Sequence, residues 1–294
     1  MLAASVITPF RADGTVNEDA LRQQLRRVAD EQLAVWLVSS GMAEANTLGD
    51  PEMVRIAEIA VDEVGGRTPV VAMGPEPKTA ATAIAFARMM ERCGVDAVQV
   101  GPLDPGHSYL PSEAELRAFY LDVLDAIDGP AFLATHMSVG YDVPAALLAE
   151  LTSAGRVQGI IATQLREYTY LPRLLQAIDG RLPVLLGSPV HLLEALALGA
   201  SGAVSSLDVN VAPGLYRTFS AAWTKQDAGA VNDAYTSILR LFLRLLSDGG
   251  LLLAKAVLER LGLAAGPPRP PRRPPDEGVF RRADLVIEEY GLRL

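Results

Sequence analysis

The chain has 294 residues, a formal net charge of −9 and a hydrophobic fraction of 50%. This length allows one large domain or two small ones, and a chain of this size buries roughly 75% of its unfolded surface. The negative charge argues against a nucleic-acid partner. No apolar run reaches the ~20 residues of a membrane span, and the opening residues lack the basic segment of a signal peptide. We therefore expect a cytoplasmic protein, with no membrane contact and, because Cys93 is its one cysteine, no intrachain disulfide.

Short apolar runs alternate with longer amphipathic segments over the first 210 residues. The eight predicted strands are Ala3–Thr8, Ala34–Val38, Pro69–Met73, Ala97–Val100, Ala131–Thr135, Val157–Ile161, Val184–Leu186 and Gly202–Ser205. The predicted helices between them are Glu18–Glu31, Pro51–Val64, Thr79–Cys93, Glu113–Ile127, Pro144–Leu151, Glu167–Ile178 and Val190–Leu198. This alternation predicts an α/β fold, a (β/α)8 TIM barrel over residues 1–210. A doubly wound open sheet is the alternative, but no strand is followed by the GxGxxG motif of dinucleotide sites.

The pattern changes after Asn210. Ala212–Trp223, Ala228–Leu246 and Leu251–Leu263 read as successive helices with no strand between them. The segment Gly266–Pro275 is too rich in proline for helix or sheet, so we expect an extended strap over the surface, followed by a last helix at about Arg281–Tyr290. Residues 211–294 are thus predicted to form a C-terminal helical extension.

Four segments, in this order, resemble the dihydrodipicolinate synthase/N-acetylneuraminate lyase family of class I aldolases. They are VITPFRADGTVNEDALRQQL (Val6–Leu25), LVSSGMAEANTL (Leu37–Leu48), GASGAVSSLDVNVAP (Gly199–Pro213) and AKAVLERLGLAAGPPRPPRRP (Ala254–Pro274). The resemblance covers nearly the whole chain. It implies the barrel fold, and it implies a site at the carboxyl ends of the strands, where barrel enzymes carry their catalytic groups.

The resemblance also indicates which catalytic residues are missing. Family members form a Schiff base between pyruvate and a lysine on the sixth strand, but in VQGIIAT the matching position is Ile161. The chain has three lysines, Lys78, Lys225 and Lys255, and none of them lies between residues 79 and 224. An isoleucine has no amine to attack a carbonyl. The resemblance therefore implies a member that cannot use the family's mechanism.

The family's other catalytic positions are changed as well. Ala134 matches the tyrosine that shuttles protons on the fifth strand, and Ser138 matches the arginine that grips a substrate carboxylate. Gly41 and Met42 match the two threonines of the loop after the second strand, in which Glu44 alone persists. The whole catalytic set has changed together.

A pocket is still expected at the ends of the strands, because small and polar residues follow most of them. The predicted substrate-binding residues are Thr8, Ser40, Gly41, Met42, Glu44, Thr135, Ile161, Thr163 and Val204. We expect a small carboxylic or oxo acid as the ligand, with no cofactor and no resident metal.

His136 is the predicted catalytic residue, because a histidine after the fifth strand suits acid–base chemistry at neutral pH. Three alternatives involve other side chains. His107, His136 and Glu44 could together bind a metal, although their spacing does not support it. Tyr109 could reach the site of a neighbouring subunit, and Glu44 with Asp208 could form a pair of carboxylates.

Two functions remain open from the sequence. The chain is either an enzyme of altered chemistry, such as a lyase, dehydratase or hydrolase acting on a small oxo or hydroxy acid, or a non-catalytic subunit that binds a ligand or a partner. The resemblance also implies a homo-oligomer, either a dimer or a tetramer.

Overall fold

The computed structural model describes residues 1–163 and 167–293, except for the side chain of Met137. Eight strands close into a barrel in chain order. The strands are β1 (Leu2–Ser5), β2 (Ala34–Leu37), β3 (Val70–Ala72), β4 (Ala97–Val100), β5 (Ala131–Ala134), β6 (Val157–Ala162), β7 (Val184–Leu186) and β8 (Gly202–Ser205). They are rich in valine, leucine, isoleucine and alanine and almost wholly buried, as expected of strands covered on both faces. The predicted (β/α)8 fold is confirmed.

Helices follow the strands, and further helices form the C-terminal part of the chain. They are α1 (Glu18–Asp30), α2 (Asp50–Val64), α3 (Ala80–Arg92), α4 (Glu113–Ala126), α5 (Ala145–Leu151), α6 (Tyr170–Ile178), α7 (Leu192–Ala197), α8 (Leu207–Val211), α9 (Gly214–Thr224), α10 (Ala228–Asp248), α11 (Leu251–Arg260) and α12 (Glu277–Tyr290). Short 3-10 helices occur at Ala45–Thr47 and Met137–Val139. The predicted C-terminal helices are therefore present as well.

At two element boundaries that differ from the prediction, a side-chain oxygen accepts a hydrogen bond from a backbone amide. β1 ends at Ser5 rather than at Thr8, because the amide of Ile7 donates to Asn210 Oδ1 at 3.0 Å instead of continuing the ladder. The last helix begins at Glu277 rather than Arg281, because Asp276 caps it by accepting a hydrogen bond from Val279 N.

The chain separates into two compact units. The first consists of Met1 and Pro69–Val204, and it holds β3 to β7 with the helices that follow them. The second consists of Leu2–Thr68 and the chain from Ser205 onward, and it holds β1, β2 and the C-terminal helices. The predicted division at residue 210 into a barrel and an extension stays a prediction.

Within the second unit, a buried ion pair joins the loop after β2 to α11. Lys255 is fully buried, and its Nζ lies 2.8 Å from Glu44 Oε1. The same ammonium lies 3.4 Å from the carbonyl oxygen of Pro267 and 4.6 Å from the centre of the Phe10 ring. Burial lowers the pKa of Lys255, and the carboxylate of Glu44 opposes that shift.

Arg269 anchors the proline-rich strap beside this pair. Its backbone amide donates to Glu44 Oε2 at 3.0 Å, and its guanidinium donates to the carbonyl oxygens of Gly14 and Thr47 and to the carboxylate of Glu52. Both oxygens of Glu44 are thus occupied by the C-terminal part of the chain.

A second buried carboxylate lies in the turn between β8 and α8. Asp208 is fully buried and accepts hydrogen bonds from Ser205 Oγ at 2.7 Å and from Tyr216 Oη at 2.8 Å. Burial raises the pKa of Asp208 to about 6, because these hydrogen bonds only partly compensate for the loss of water.

We expect Lys255→Met to destabilise the protein by about 3–5 kcal/mol, because it leaves the carboxylate of Glu44 buried without its ammonium partner. Urea unfolding measures this free energy, and tryptic cleavage after Arg272 reports release of the strap. The control is Lys225→Met. The side chain of Lys225 is exposed at the end of α9, so its replacement should change stability by less than about 0.5 kcal/mol. Equal effects of the two substitutions would contradict a structural role for the buried pair.

Asp208 should make the unfolding free energy depend on pH. A carboxyl whose pKa is raised on folding binds its proton more tightly in the folded state. Its contribution is therefore complete below about pH 4 and is lost as the pH rises through about 6. Relative to Asp208→Asn, the native protein should lose up to about 3 kcal/mol over this range. Urea unfolding of both proteins from pH 4 to pH 7 measures the difference, and parallel stability curves would refute it.

Candidate active site

The ends of β5 and β6 bring three predicted binding residues together. In the ladder Ala134 pairs with Ile161, and the amide of Thr135 donates to the carbonyl oxygen of Ile161 at 2.9 Å. The amide of Thr163 in turn donates to Thr135 Oγ1 at 3.0 Å. Thr135, Ile161 and Thr163 are therefore neighbours, and the side chain of Ile161 is buried. The side chains of these residues are hydroxyl-bearing or alkyl, and none of them carries an amine or a phenol.

Thr163 is held against the end of β7 by a contact that only glycine allows. A Cβ atom on Gly187 would lie 2.3 Å from Thr163 Oγ1, and the amide of Gly187 donates to the carbonyl oxygen of Ala162. Val204, the remaining predicted residue of this unit, lies on the buried strand β8.

The predicted residues of the second unit lie after β1 and β2. Thr8 is buried three residues beyond the end of β1. Ser40, Gly41 and Met42 form a turn that lies between two residues with positive φ, Val38 at 47° and Glu44 at 55°. Ser39 supports this turn, because its Oγ lies 2.8 Å from Ser5 Oγ and accepts a hydrogen bond from Ala43 N at 3.2 Å.

Positive φ at a β-branched residue such as Val38 is sterically costly, so the surrounding hydrogen bonds must hold this turn in place. Glu44 takes part in that restraint. It is 2% exposed, and its partners are the ammonium of Lys255 and the amide of Arg269. Its predicted contact with substrate stays a prediction, whereas its contacts with the C-terminal part of the chain are observed.

His136 lies directly after β5 and starts the 3-10 helix Met137–Val139. Its Nδ1 lies 2.6 Å from Ser138 Oγ and 3.1 Å from Glu76 Oε1, a carboxylate in the loop after β3. The hydroxyl of Ser138 donates to the same oxygen of Glu76 at 3.2 Å. The side chains of His136 and Glu76 are 23% and 14% exposed, so solvent reaches the cluster without surrounding it.

Hydrogen bonds join the loops after β3, β4 and β5 beside this cluster. The backbone amide of Asp104 donates to the carbonyl oxygen of Pro77 at 2.8 Å. Its carboxylate accepts a hydrogen bond from the ammonium of Lys78 at 2.5 Å. Tyr141 Oη donates to the carbonyl oxygen of Leu103 at 2.6 Å, and burial raises the pKa of this phenol. These bonds restrain the loops that carry Glu76 and His136.

Sequence reasoning identified His136 but missed Glu76. The carboxylate lies in the segment Gly74–Lys78, which carries no recognisable motif, and the histidine is 60 residues further along the chain. Ser138 was noticed only as a replacement for an arginine. The predicted barrel was the one available signal, because the loops after β3 and β5 lie at the same end of a barrel.

The other sequence candidates lie in different surroundings. Tyr109 is half exposed, and its Oη donates to Glu115 at 2.5 Å. Asp208 and Glu44 belong to separate networks, so they do not form the carboxylate pair considered above. In the part of the chain that the structure describes, no three His, Cys, Asp or Glu side chains are placed to hold a metal ion, so His107, His136 and Glu44 form no such site.

No helix among residues 1–163 and 167–293 combines the length and apolar character that crossing a membrane requires.

Comparison with known proteins agrees with this architecture over nearly the whole chain. Residues 1–284 match the dihydrodipicolinate synthetase family. The 4-hydroxy-tetrahydrodipicolinate synthase of Methanopyrus kandleri is 28% identical over 300 residues, covering 98% of this chain and 95% of that protein. The probable 5-dehydro-4-deoxyglucarate dehydratase 1 of Streptomyces avermitilis is 28% identical over 298 residues, covering 97% and 92%.

A solved structure of a putative dihydrodipicolinate synthetase from Pseudomonas aeruginosa superposes with a TM-score of 0.88 at 26% identity, covering 99% of both chains. A monomeric dihydrodipicolinate synthase variant gives 0.90 at 18% identity, covering 99% of this chain and 96% of that one, a likeness of fold alone. The fold, the strand-end geometry and the match over residues 1–284 lead to one conclusion: the chain belongs to the dihydrodipicolinate synthetase family.

Proposed function

We propose that this protein is a lyase or dehydratase that acts on a small oxo or hydroxy acid without forming a Schiff base, and that His136 transfers the proton. The observation that carries the proposal is the contact of His136 with Glu76 and Ser138 at the end of β5. A histidine oriented by a carboxylate has the parts of a general acid–base catalyst.

The positions of the three lysines support chemistry without an imine. Lys78 is exposed and paired with Asp104, and Lys225 is exposed at the end of α9. Lys255 is fully buried against Glu44 and the Phe10 ring, where a substrate carbonyl would have to displace protein atoms. The amine of a Schiff-base lysine must be both neutral and accessible to the substrate. Under this proposal Ile161 stands where the lysine of other family members would be.

The reaction class follows from what a single base can do. Nε2 of His136 would take the proton from the carbon next to the carbonyl or carboxyl group. The electron pair of that C–H bond forms a C=C bond as the C–O bond to a hydroxyl on the next carbon breaks. The departing oxygen takes the proton from the imidazolium of His136, so water leaves and the base is restored. The dehydratase among the relatives, named for a deoxyglucarate, supports an acid as the substrate class.

Part of the site also supports the second function, a non-catalytic ligand-binding protein. The ends of β5 and β6 carry Ala134 and Ile161, which supply no acid, base or nucleophile. A pocket lined by Thr135 and Thr163 could bind an acid without turning it over. In the second unit, we propose Thr8, Ser40, Gly41 and Met42 as binding residues.

We further propose a homo-oligomer, a dimer or a tetramer. Large apolar side chains are exposed on two C-terminal helices, Leu243 and Leu246 on α10 and Leu285 on α12. Light scattering on the purified protein measures the mass directly.

Replacing His136 by glutamine should lower turnover by about 100-fold or more, because general acid–base catalysis contributes about 10²–10⁴-fold. The assay follows loss of 5-dehydro-4-deoxyglucarate and of a panel of 2-oxo and 3-hydroxy acids by chromatography. The control is His191→Gln, which alters another histidine–glutamate pair, that of His191 with Glu194, on α7.

Turnover that survives His136→Gln would contradict the role of this residue. No turnover of any acid by the native protein, combined with a rise in melting temperature on adding one of them, would favour the binding function instead.

Incubation with pyruvate and borohydride should leave the mass of the protein unchanged, because Lys78 is paired with Asp104, Lys225 lies at the end of α9 and Lys255 is buried. Intact-mass spectrometry followed by peptide mapping measures any adduct. A class I aldolase that forms the imine is the positive control. Stoichiometric labelling of Lys78, Lys225 or Lys255 would show that the imine mechanism is retained.

A further inference from the structure

Three contacts converge on one ring nitrogen of His136. Nδ1 lies 2.6 Å from Ser138 Oγ, 3.1 Å from Glu76 Oε1 and 3.3 Å from the backbone nitrogen of Ser138. The hydroxyl of Ser138 also lies 3.2 Å from Glu76 Oε1. Because a neutral imidazole carries its proton on one nitrogen only, these contacts distinguish its two tautomers.

With the proton on Nδ1, both side-chain contacts are satisfied together, and only the backbone amide of Ser138 loses its acceptor. Nδ1–H donates to Ser138 Oγ and towards Glu76 Oε1, and the hydroxyl of Ser138 donates its own proton to the same carboxylate. A carboxylate only accepts hydrogen bonds, so both donors suit Glu76. Hydrogen bonds to an ionised acceptor are also stronger than neutral ones.

With the proton on Nε2, the contacts conflict. The lone pair of Nδ1 would face the carboxylate of Glu76 at 3.1 Å, which places two acceptors against each other. The hydroxyl of Ser138 would have to donate to Nδ1, and Glu76 would lose that donor. The gain is the hydrogen bond that the backbone amide of Ser138 donates to Nδ1 at 3.3 Å, one neutral bond against the two donors that the carboxylate of Glu76 loses.

We propose that Glu76 and Ser138 hold His136 in the Nδ1–H tautomer, so that Nε2 carries the lone pair and is the basic atom of the site. This inference rests on the proposed function, because it names the atom that would take the substrate proton. Glu76 and Ser138 are positioning residues, because they act through the histidine ring.

The same geometry argues against Ser138 as a nucleophile of the hydrolase type. In a Ser–His–Asp triad the serine and the carboxylate contact different ring nitrogens, so that the histidine takes the serine proton while the carboxylate orients it. Here Ser138 and Glu76 contact the same nitrogen. Ser138 therefore bridges His136 and Glu76 and is not activated for attack.

The tautomer can be measured without a substrate. Long-range ¹H–¹⁵N correlation spectra of uniformly ¹⁵N-labelled protein at about pH 8.5, where histidine is neutral, separate the two forms by their ring nitrogen shifts. The chain has three histidines, so loss of one set of signals in His136→Gln assigns them. We expect Nδ1–H to exceed Nε2–H by about tenfold, the ratio that a difference of about 1.4 kcal/mol produces.

Glu76→Gln should reduce that ratio by about tenfold, because an amide can donate to a bare Nδ1 and no longer attracts its proton. Ser138→Ala should keep Nδ1–H as the main form, since the carboxylate of Glu76 remains. The matched control is Glu194→Gln beside His191, an exposed pair 3.5 Å apart that should leave the tautomer of His191 unchanged.

A native spectrum dominated by Nε2–H would overturn the inference, and so would an unchanged ratio in folded Glu76→Gln. Circular dichroism checks the fold of each variant, and the native spectrum decides alone if Glu76→Gln fails to fold. An Nδ1–H spectrum in a protein without turnover supports the inference while refuting the proposed function. An Nε2–H spectrum in an active enzyme overturns the inference alone.

Discussion

A charged group buried in a protein must have an oppositely charged or hydrogen-bonded partner, and the pair of Lys255 with Glu44 imposes this requirement on the second unit. Helix α11 must bring its ammonium to the loop after β2, and that loop must present the carboxylate. Because Arg269 donates its amide to the other oxygen of Glu44, the strap is tied to the same point. The carboxylate of Glu44 thus holds both α11 and the strap.

The same pair encloses a buried lysine whose pKa is lowered. Burial favours the neutral amine that imine formation needs, yet the partners that tolerate Lys255 also fill the space around its Nζ. Under the proposed function, stability and chemistry therefore use ionisable groups in different places. The cluster of His136 and Glu76, in the first unit, is partly open to solvent.

How much could be predicted from the sequence depended on the distance between the interacting residues. Apolar runs of three to six residues predicted all eight strands, because burial on both faces leaves a local signature. Helix caps depend on neighbours close in sequence as well, such as Ser112, which accepts a hydrogen bond from Glu115 N. The end of β1 was wrong because Asn210, remote in the chain, takes the amide of Ile7.

The site shows the same limit. Thr135, Ile161 and Thr163 were placed correctly at the ends of β5 and β6, since strand ends follow from strand periodicity. Glu76 was not found, because nothing near it in the sequence marks it as a partner of His136. For Lys255 the sequence supplied the residue type but not its partner. Pairings between loops and between distant helices require the folded chain.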